Sequence, residues 1–292
     1  MKKWIICMAA VCSALSGFAQ TDSSSSKQDT MMVGNFIIIK KNKKENEEVQ
    51  VQDKKEGSTI IIEKTTRDKK KKSSNINTNW WIFDLGFANL NDNTNYTMAQ
   101  AGSYLKVLRP ADGPVDKNSM RLRGGKSSNV NIWIFMQKLN LSKHILNLKY
   151  GLGLEMYNFR YESDLSYRNS PAPFVFNDSI NFSKNKLYAG YLTVPFMIHV
   201  NTAPNNKRGF SFSAGVSAGY LVGTHSKQIS AERGKQKIRD SFDLQPWRVA
   251  AIGELGLGPV RLYGSYSLNA LHKESTGLDQ VPYAVGIRFS NW

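Results

Sequence analysis

The sequence predicts an all-β fold: an eight-stranded antiparallel up-and-down transmembrane β-barrel behind a largely disordered N-terminal linker. Three observations predict it. After residue 79, eight segments alternate apolar with polar or small residues at a period of two. Most of them outrun the five or six residues usual in a soluble strand and reach the ~9–11 that a tilted strand needs to cross a bilayer. The connections between them alternate long and short: 91–128, 140–144, 162–184, 201–208, 224–242, 257–259 and 271–280. That is the pattern of a barrel whose short turns face one side of a membrane and whose long loops face the other.

Composition sets the outer bounds. The chain has 292 residues, 41% of them apolar and 21% charged, as expected of a folded protein. After residue 20 no apolar run approaches the ~20 residues of a membrane-spanning helix. Its only cysteines are Cys7 and Cys12, so a disulfide scaffold is excluded.

Residues 1–19 read as a signal peptide. Met1-Lys2-Lys3 supplies the positive start, residues 4–15 the apolar stretch, and Gly17-Phe18-Ala19 the small residues before a cut after Ala19. A lipoprotein anchored on Cys12 is the rival reading, and Val11 is too bulky for it. Residues 20–78 form a charged linker with 13 Lys and Arg against 9 Asp and Glu, including Lys69-Lys70-Lys71-Lys72. It carries too little apolar surface to offset its chain entropy. Two β-branched runs, Phe36-Ile37-Ile38-Ile39 and Ile60-Ile61-Ile62, suit a small hairpin or an edge-strand contact with an envelope partner. Export leaves the lysine run no nucleic acid to meet; anionic envelope polymer or lipid headgroups are its electrostatic counterparts.

The barrel domain is assigned to residues 79–292. Trp81, Phe83, Leu85 and Phe87 open the series around Asp84. Residues 129–139 are the least regular, with apolar side chains on both faces. Segments 145–156, 188–200, 210–222, 247–257, 260–270 and 281–289 follow; in 210–222 every even residue is apolar and all but one odd residue is Ser or Gly. Asn205-Asn206 and Gly258-Pro259 have the composition of tight turns. An even strand number puts both chain ends on the short-turn side, hence in the periplasm. A soluble ligand-binding sandwich or lipocalin-like barrel would show similar alternation. Loop asymmetry, strand length and the aromatic ends (Trp80, Trp81, Tyr157, Tyr161, Tyr283) favour the membrane.

Three segments resemble the outer-membrane β-barrel proteins of Bacteroidetes, often called PorT-like: Tyr191-Leu192-Thr193-Val194-Pro195-Phe196, Leu262-Tyr263-Gly264-Ser265-Tyr266-Ser267-Leu268 and Tyr283-Ala284-Val285-Gly286-Ile287-Arg288-Phe289. The likeness implies the barrel and its location but no activity. Barrels of this kind end on an aromatic residue that the assembly machinery reads. Here the in-phase series is Tyr283, Val285, Ile287 and Phe289, while Trp292 is out of phase. Asp178-Ser179-Ile180 and Asp29-Thr30-Met31 look like the O-glycosylation triplets of such organisms.

Functional candidates fall into two groups. Asp84, Lys149, Glu155, Arg248, Glu254, Arg261 and Arg288 project inward, as an ion path or as a salt-bridge network that plugs the lumen; the plug is favoured, because an eight-stranded barrel is just filled by its side chains. The long loops carry Lys106, Arg109, Arg121, Arg123 and Lys126, and then Lys227, Arg233, Lys235, Lys237 and Arg239, which suit lipopolysaccharide phosphates. Catalysis has little support. His225-Ser226 is the nearest approach to an acyl-transfer pair, as in a lipid A-modifying barrel, but adjacent strand residues point to opposite faces. Neither His144, His199, His225 nor His272 shows metal-ligand spacing with another, so no metal and no cofactor is expected. The expectation is a non-enzymatic structural or binding protein of the outer membrane, in contact with lipid, the assembly machinery and, through its tail, a secretion or assembly complex.

Overall fold

The computed structural model describes residues 30–33, 36–39, 74–202, 209–257 and 260–290. The signal peptide with its cut after Ala19, Ile60-Ile61-Ile62, the lysine run, both tight turns and Trp292 lie outside them. The chain falls into two compact units, 1–72 and 73–292. In the first, β1 (Thr30–Val33) pairs antiparallel with β2 (Phe36–Ile39), from Thr30 opposite Ile39 to Val33 opposite Phe36. The Phe36-Ile37-Ile38-Ile39 run is thus a hairpin strand, with Thr30–Val33 as its partner.

In the second unit eight strands close into a ring. In ring order they are β3 (Ile76–Asp92), β4 (Ser128–Ser142), β5 (Leu146–Arg160), β8 (Lys184–Asn201), β9 (Phe210–Ser230), β11 (Trp247–Leu257), β12 (Val260–Ser267) and β13 (Gln280–Phe289). Every neighbour is antiparallel, and β13 returns to β3 with Phe289 opposite Phe83 and Gln280 opposite Asp92. All eight predicted segments are strands of this ring. The short connections, the start of β3 and the end of β13 share one end of the barrel; the long connections share the other.

Alternation sorts the side chains between two environments. Outward stand Phe83, Leu85 and Phe87 on β3, Val194, Phe196 and Ile198 on β8, Phe212, Val216 and Tyr220 on β9, and Leu255, Leu262, Val285 and Ile287 beyond, all exposed. Inward stand the charges and a set of Asn, Ser, Tyr and Trp side chains. A belt of exposed apolar residues around a polar interior inverts the arrangement of a soluble barrel.

Three breaks of the period have a backbone cause; a further slip, between Asn140 and Ser142, lies at the end of β4. Trp80 and Trp81 both point out, 61% and 62% exposed, because Trp81 takes φ +55° and shifts the strand by one residue. Opposite them, the β4–β5 register slips between Trp133 and Phe135, a bulge at Ile134. Segment 129–139 is irregular in sequence for this reason: Asn129, Asn131 and Trp133 face in before the bulge, Met136 after it. The third break is at Val222, where β9 slips against β8 so that Leu221 pairs with Tyr191 and Gly223 with Gly190. Below it the odd residues Ser211, Ser213 and Ser217 face in; above it the even residues Ser226, Gln228 and Ser230 do.

The Val222 break corrects one expectation. The 224–242 stretch, read as a loop, is largely strand: β9 continues to Ser230 and folds back as β10 (Gly234–Ile238). The alternation stopped at Val222 because its phase reversed.

The other long connections pack into a lid over the mouth of the barrel at their end. Helix α1 (Tyr96–Ala101) starts at Asn95, whose side chain accepts the Met98 N–H. β6 (Leu165–Arg168) and β7 (Phe174–Asn177) form a hairpin. Tyr104, Val115, Met120, Tyr167, Val175, Phe242, Leu244, Leu271 and Leu278 make a buried core continuous with Phe159, Leu187 and Tyr191 on the barrel strands. Tyr104 Oη donates to the Phe242 carbonyl at 2.7 Å, and the Tyr167 and Phe242 rings meet edge-on.

Candidate functional site

The seven inward charges form two clusters in the lumen. Arg288 on β13 lies directly opposite Asp84 on β3 and donates to it twice, Nε to Oδ1 at 2.8 Å and Nη2 to Oδ2 at 2.7 Å. Its remaining nitrogen reaches Glu254 at 2.7 Å. Glu254 also receives Lys149 Nζ at 2.6 Å and Arg261 Nη1 at 3.0 Å, so three cations converge on one carboxylate. Trp133 Nε1 donates to Asp84 Oδ2 at 2.7 Å, and Asn131 Nδ2 donates to the same oxygen at 3.1 Å.

The second cluster lies nearer the lid. Arg248 donates to Glu155 at 2.7 Å and to Ser267 at 2.8 Å, with its guanidinium 4.9 Å from the centre of the Tyr157 ring. Thr193 completes the Glu155 shell at 3.1 Å. Between the clusters, Tyr263 donates to Asn129 at 2.6 Å, and the Arg288 guanidinium lies over the Trp133 ring. All seven charges are buried. The lumen keeps a cavity of about 10 Å³ between Asn131, Trp133, Glu155, Tyr263 and Arg288, room for about one water. Buried charge is tolerated here because each carboxylate is met by at least one cation, with neutral donors added at Asp84 and Glu155 and two further cations at Glu254.

Asn129, Asn131, Trp133, Tyr157, Thr193 and Tyr263 belong to this network and carry no charge that would have singled them out. Period two places all of them inward except where the Ile134 bulge obscures it. His199 is a lumen residue too, its Nδ1 2.9 Å from Ser213 Oγ.

The outer cations divide. Arg109 pairs with Asp112 at 2.9 Å, Arg121 with Glu162 at 3.3 Å and Arg233 with Asp178 at 2.9 Å. Lys106 lies 4.5 Å from the Phe174 ring centre, and Arg123 donates to the Glu162 carbonyl. Lys126 and Arg239 are exposed on connections. Lys227, Lys235 and Lys237 stand on β9 and β10, where strand pairing fixes their neighbours. Asp178 is held by Ser166 and Arg233, while Ser179 beside it is exposed.

His225 and Ser226 do not face each other. His225 faces out and stacks on Tyr188 with 4.6 Å between ring centres, whereas Ser226 is buried on the other face. His144 sits in the β4–β5 turn at φ +58°. His272 is fully buried in the lid against Tyr104, with neither ring nitrogen hydrogen-bonded. Burial holds its pKa down at about 4. Among the described residues no group of His, Cys, Asp and Glu side chains is placed to hold a metal.

On β13, Val285, Ile287 and Phe289 point outward and are exposed, and Tyr283 shares their face half-buried. Residues 86–274 match the family model described as outer membrane protein beta-barrel domain. No curated protein matches the chain.

Proposed function

We propose, for a chain that belongs to the outer membrane protein beta-barrel domain family, a non-enzymatic structural or binding role carried by the outer surface of a closed barrel. The observation that carries this reading is the lumen: seven buried charges, five in one ion-paired cluster and two in another, fill it and leave a cavity of about 10 Å³ between them. A diffusion pore takes about 16 strands, twice the number here. What remains available for recognition is the lid, the strand extensions and the segment before residue 73.

The finer placement is a PorT-like barrel of the Bacteroidetes type with both ends of the domain in the periplasm. The support is the shared position of the chain ends and the short turns. In that orientation the tail meets the periplasm, where an envelope protein of a secretion or assembly complex would bind it, and the lid meets lipopolysaccharide. Tyr283, Val285, Ile287 and Phe289 would be the stretch read by the barrel assembly machinery, since they form the outward face of the last strand.

Planar-bilayer recording on the refolded protein tests the closed lumen. The expected result is no stepwise conductance; steady ohmic channels would overturn the reading. A lipid A-modifying activity is the second class. It would replace the first if lipid A masses differed between cells with and without the gene.

A further inference from the structure

The outward face above the apolar belt carries an unusual row. Arg160 on β5 lies opposite Lys186 on β8, Lys186 opposite Lys227 on β9, and Lys227 opposite Lys237 on β10. Directly opposed residues share a face, and adjacent strands lie about 4.8 Å apart, so four cations stand in line over about 15 Å. In the next row Lys184 and Lys235 flank Ile229. Like charges directly opposed destabilise a sheet.

Among the described residues the hydrogen-bonding partners of Lys186 and Arg160 are uncharged. Lys186 donates to the Asn158 amide oxygen at 2.7 Å and Arg160 to the Ser183 carbonyl at 3.1 Å, both uncharged acceptors. No carboxylate pairs with any member of the row among the described residues. Burial and then the neighbouring lysines lower the Lys186 pKa; for exposed Lys227 the neighbour Lys184 is the first cause. His225 beside them is held down at about 4, by burial and then by Lys237, Lys186, Arg239 and Lys227.

The row is set on paired strands and has a definite height. Its reverse face is the buried side of the extension, where Phe159, Leu187, Ser226 and Gln228 pack under the lid. On β8 the outward residues run from Lys184 and Lys186 through Tyr188 to Leu192, Val194 and Phe196. On β5 Arg160 is four residues beyond Met156, about 10 Å above the belt for a tilted strand. Cation, aromatic ring and aliphatic belt succeed one another as headgroup, interface and hydrocarbon do.

We propose that Arg160, Lys186, Lys227 and Lys237 form a binding row for the phosphorylated saccharide headgroup of an outer-leaflet glycolipid. The inference rests on the proposed orientation, with the lid outside the cell. A flat row beside the lipid-facing belt suits an extended, laterally presented anion rather than a small solute.

The test uses the full chain in detergent and two glycolipids, bisphosphorylated lipopolysaccharide and its dephosphorylated form. Phosphorylated lipid should bind in preference and be displaced by salt. The triple variant Lys186→Gln, Lys227→Gln, Lys237→Gln, checked for the heat-dependent gel shift of a closed barrel, should bind roughly a hundredfold more weakly, at about 1 kcal/mol per cation. The His225 titration, followed by NMR, should move up when the lipid is bound and stay put in the triple variant. Equal binding of both lipids, or an unaltered triple variant, would overturn the row. Full displacement by millimolar-range inorganic phosphate would overturn the lipid assignment. Labelling of Lys237→Cys by an impermeant maleimide on intact cells separates the two readings. Labelled but non-binding protein sinks the site alone, whereas unlabelled protein sinks the orientation with it.

Discussion

Arg288 and Asp84 face each other across the two strands that complete the ring, and the guanidinium grips the carboxylate with two parallel bonds of 2.8 and 2.7 Å. The first and last barrel strands are thus tied by a charge pair as well as by the backbone ladder. A bidentate pair is both strong and directional, so it fixes register at the seam.

The pair leads on to Glu254, the carboxylate that three cations share. Glu254→Gln keeps the shape and removes the carboxylate charge that Lys149, Arg261 and Arg288 share in a buried site. The expected loss is about 3–5 kcal/mol, the usual result of removing one partner from a buried ionic group. Urea unfolding in micelles measures it; Val285→Leu on the lipid-facing side is the control, with little or no change expected.

His272 predicts a pH dependence of the lid. Its folded pKa, about 4, lies below the ordinary 6.5, so the unfolded lid takes up the proton first. Its contribution is complete above about pH 6.5, falls as the pH drops toward about 4, and is flat below that, a change of about 3 kcal/mol at most. Protease nicking of the lid across that window reports it, and His272→Leu should remove the slope.

Gly86 and Gly286 pair across the same seam beneath the Tyr263 ring. A Cβ on Gly286 would stand 2.7 Å from Tyr263 Cε1, and one on Gly86 would stand 2.6 Å from its Oη. Gly286→Val should therefore fail to close the barrel. Without heating it should run at the mobility of the boiled protein, where the parent runs faster.

Because the only cysteines are Cys7 and Cys12, single-cysteine labelling has no background from the barrel. With the phase reversed at Val222, Lys227→Cys should react with a water-soluble maleimide in the folded protein and Ser226→Cys should not. The opposite pattern would mean that β9 keeps one phase throughout.

Legibility in the sequence followed the solvent. Lipid outside and polar groups inside enforce strict alternation, so eight strands and the seven lumen charges could be read from period two alone. Asn129, Asn131 and Trp133 were harder, because the bulge at Ile134 puts apolar residues on both apparent faces. Arg160, Lys184 and Lys186 were missed because above the belt the apolar side chains switch to the inward face, as Tyr157 and Phe159 do on β5 and Leu187 and Ala189 on β8, so the lipid-facing period ends before the strands do. The lid core was invisible for another reason. Tyr104, Val115, Met120 and Phe242 come from connections without any period, and only tertiary packing brings them together.

The lid has a consequence for anything that approaches the protein from its outer side. Its surface is assembled from chain segments near residues 105, 165, 242 and 272 that share one core. On the proposed orientation, an antibody or phage would meet a conformational epitope that no single peptide reproduces and that boiling erases. Exposed positions such as Met98, Lys126 and Ser179 could vary under that pressure, while the aromatic residues beneath them could not.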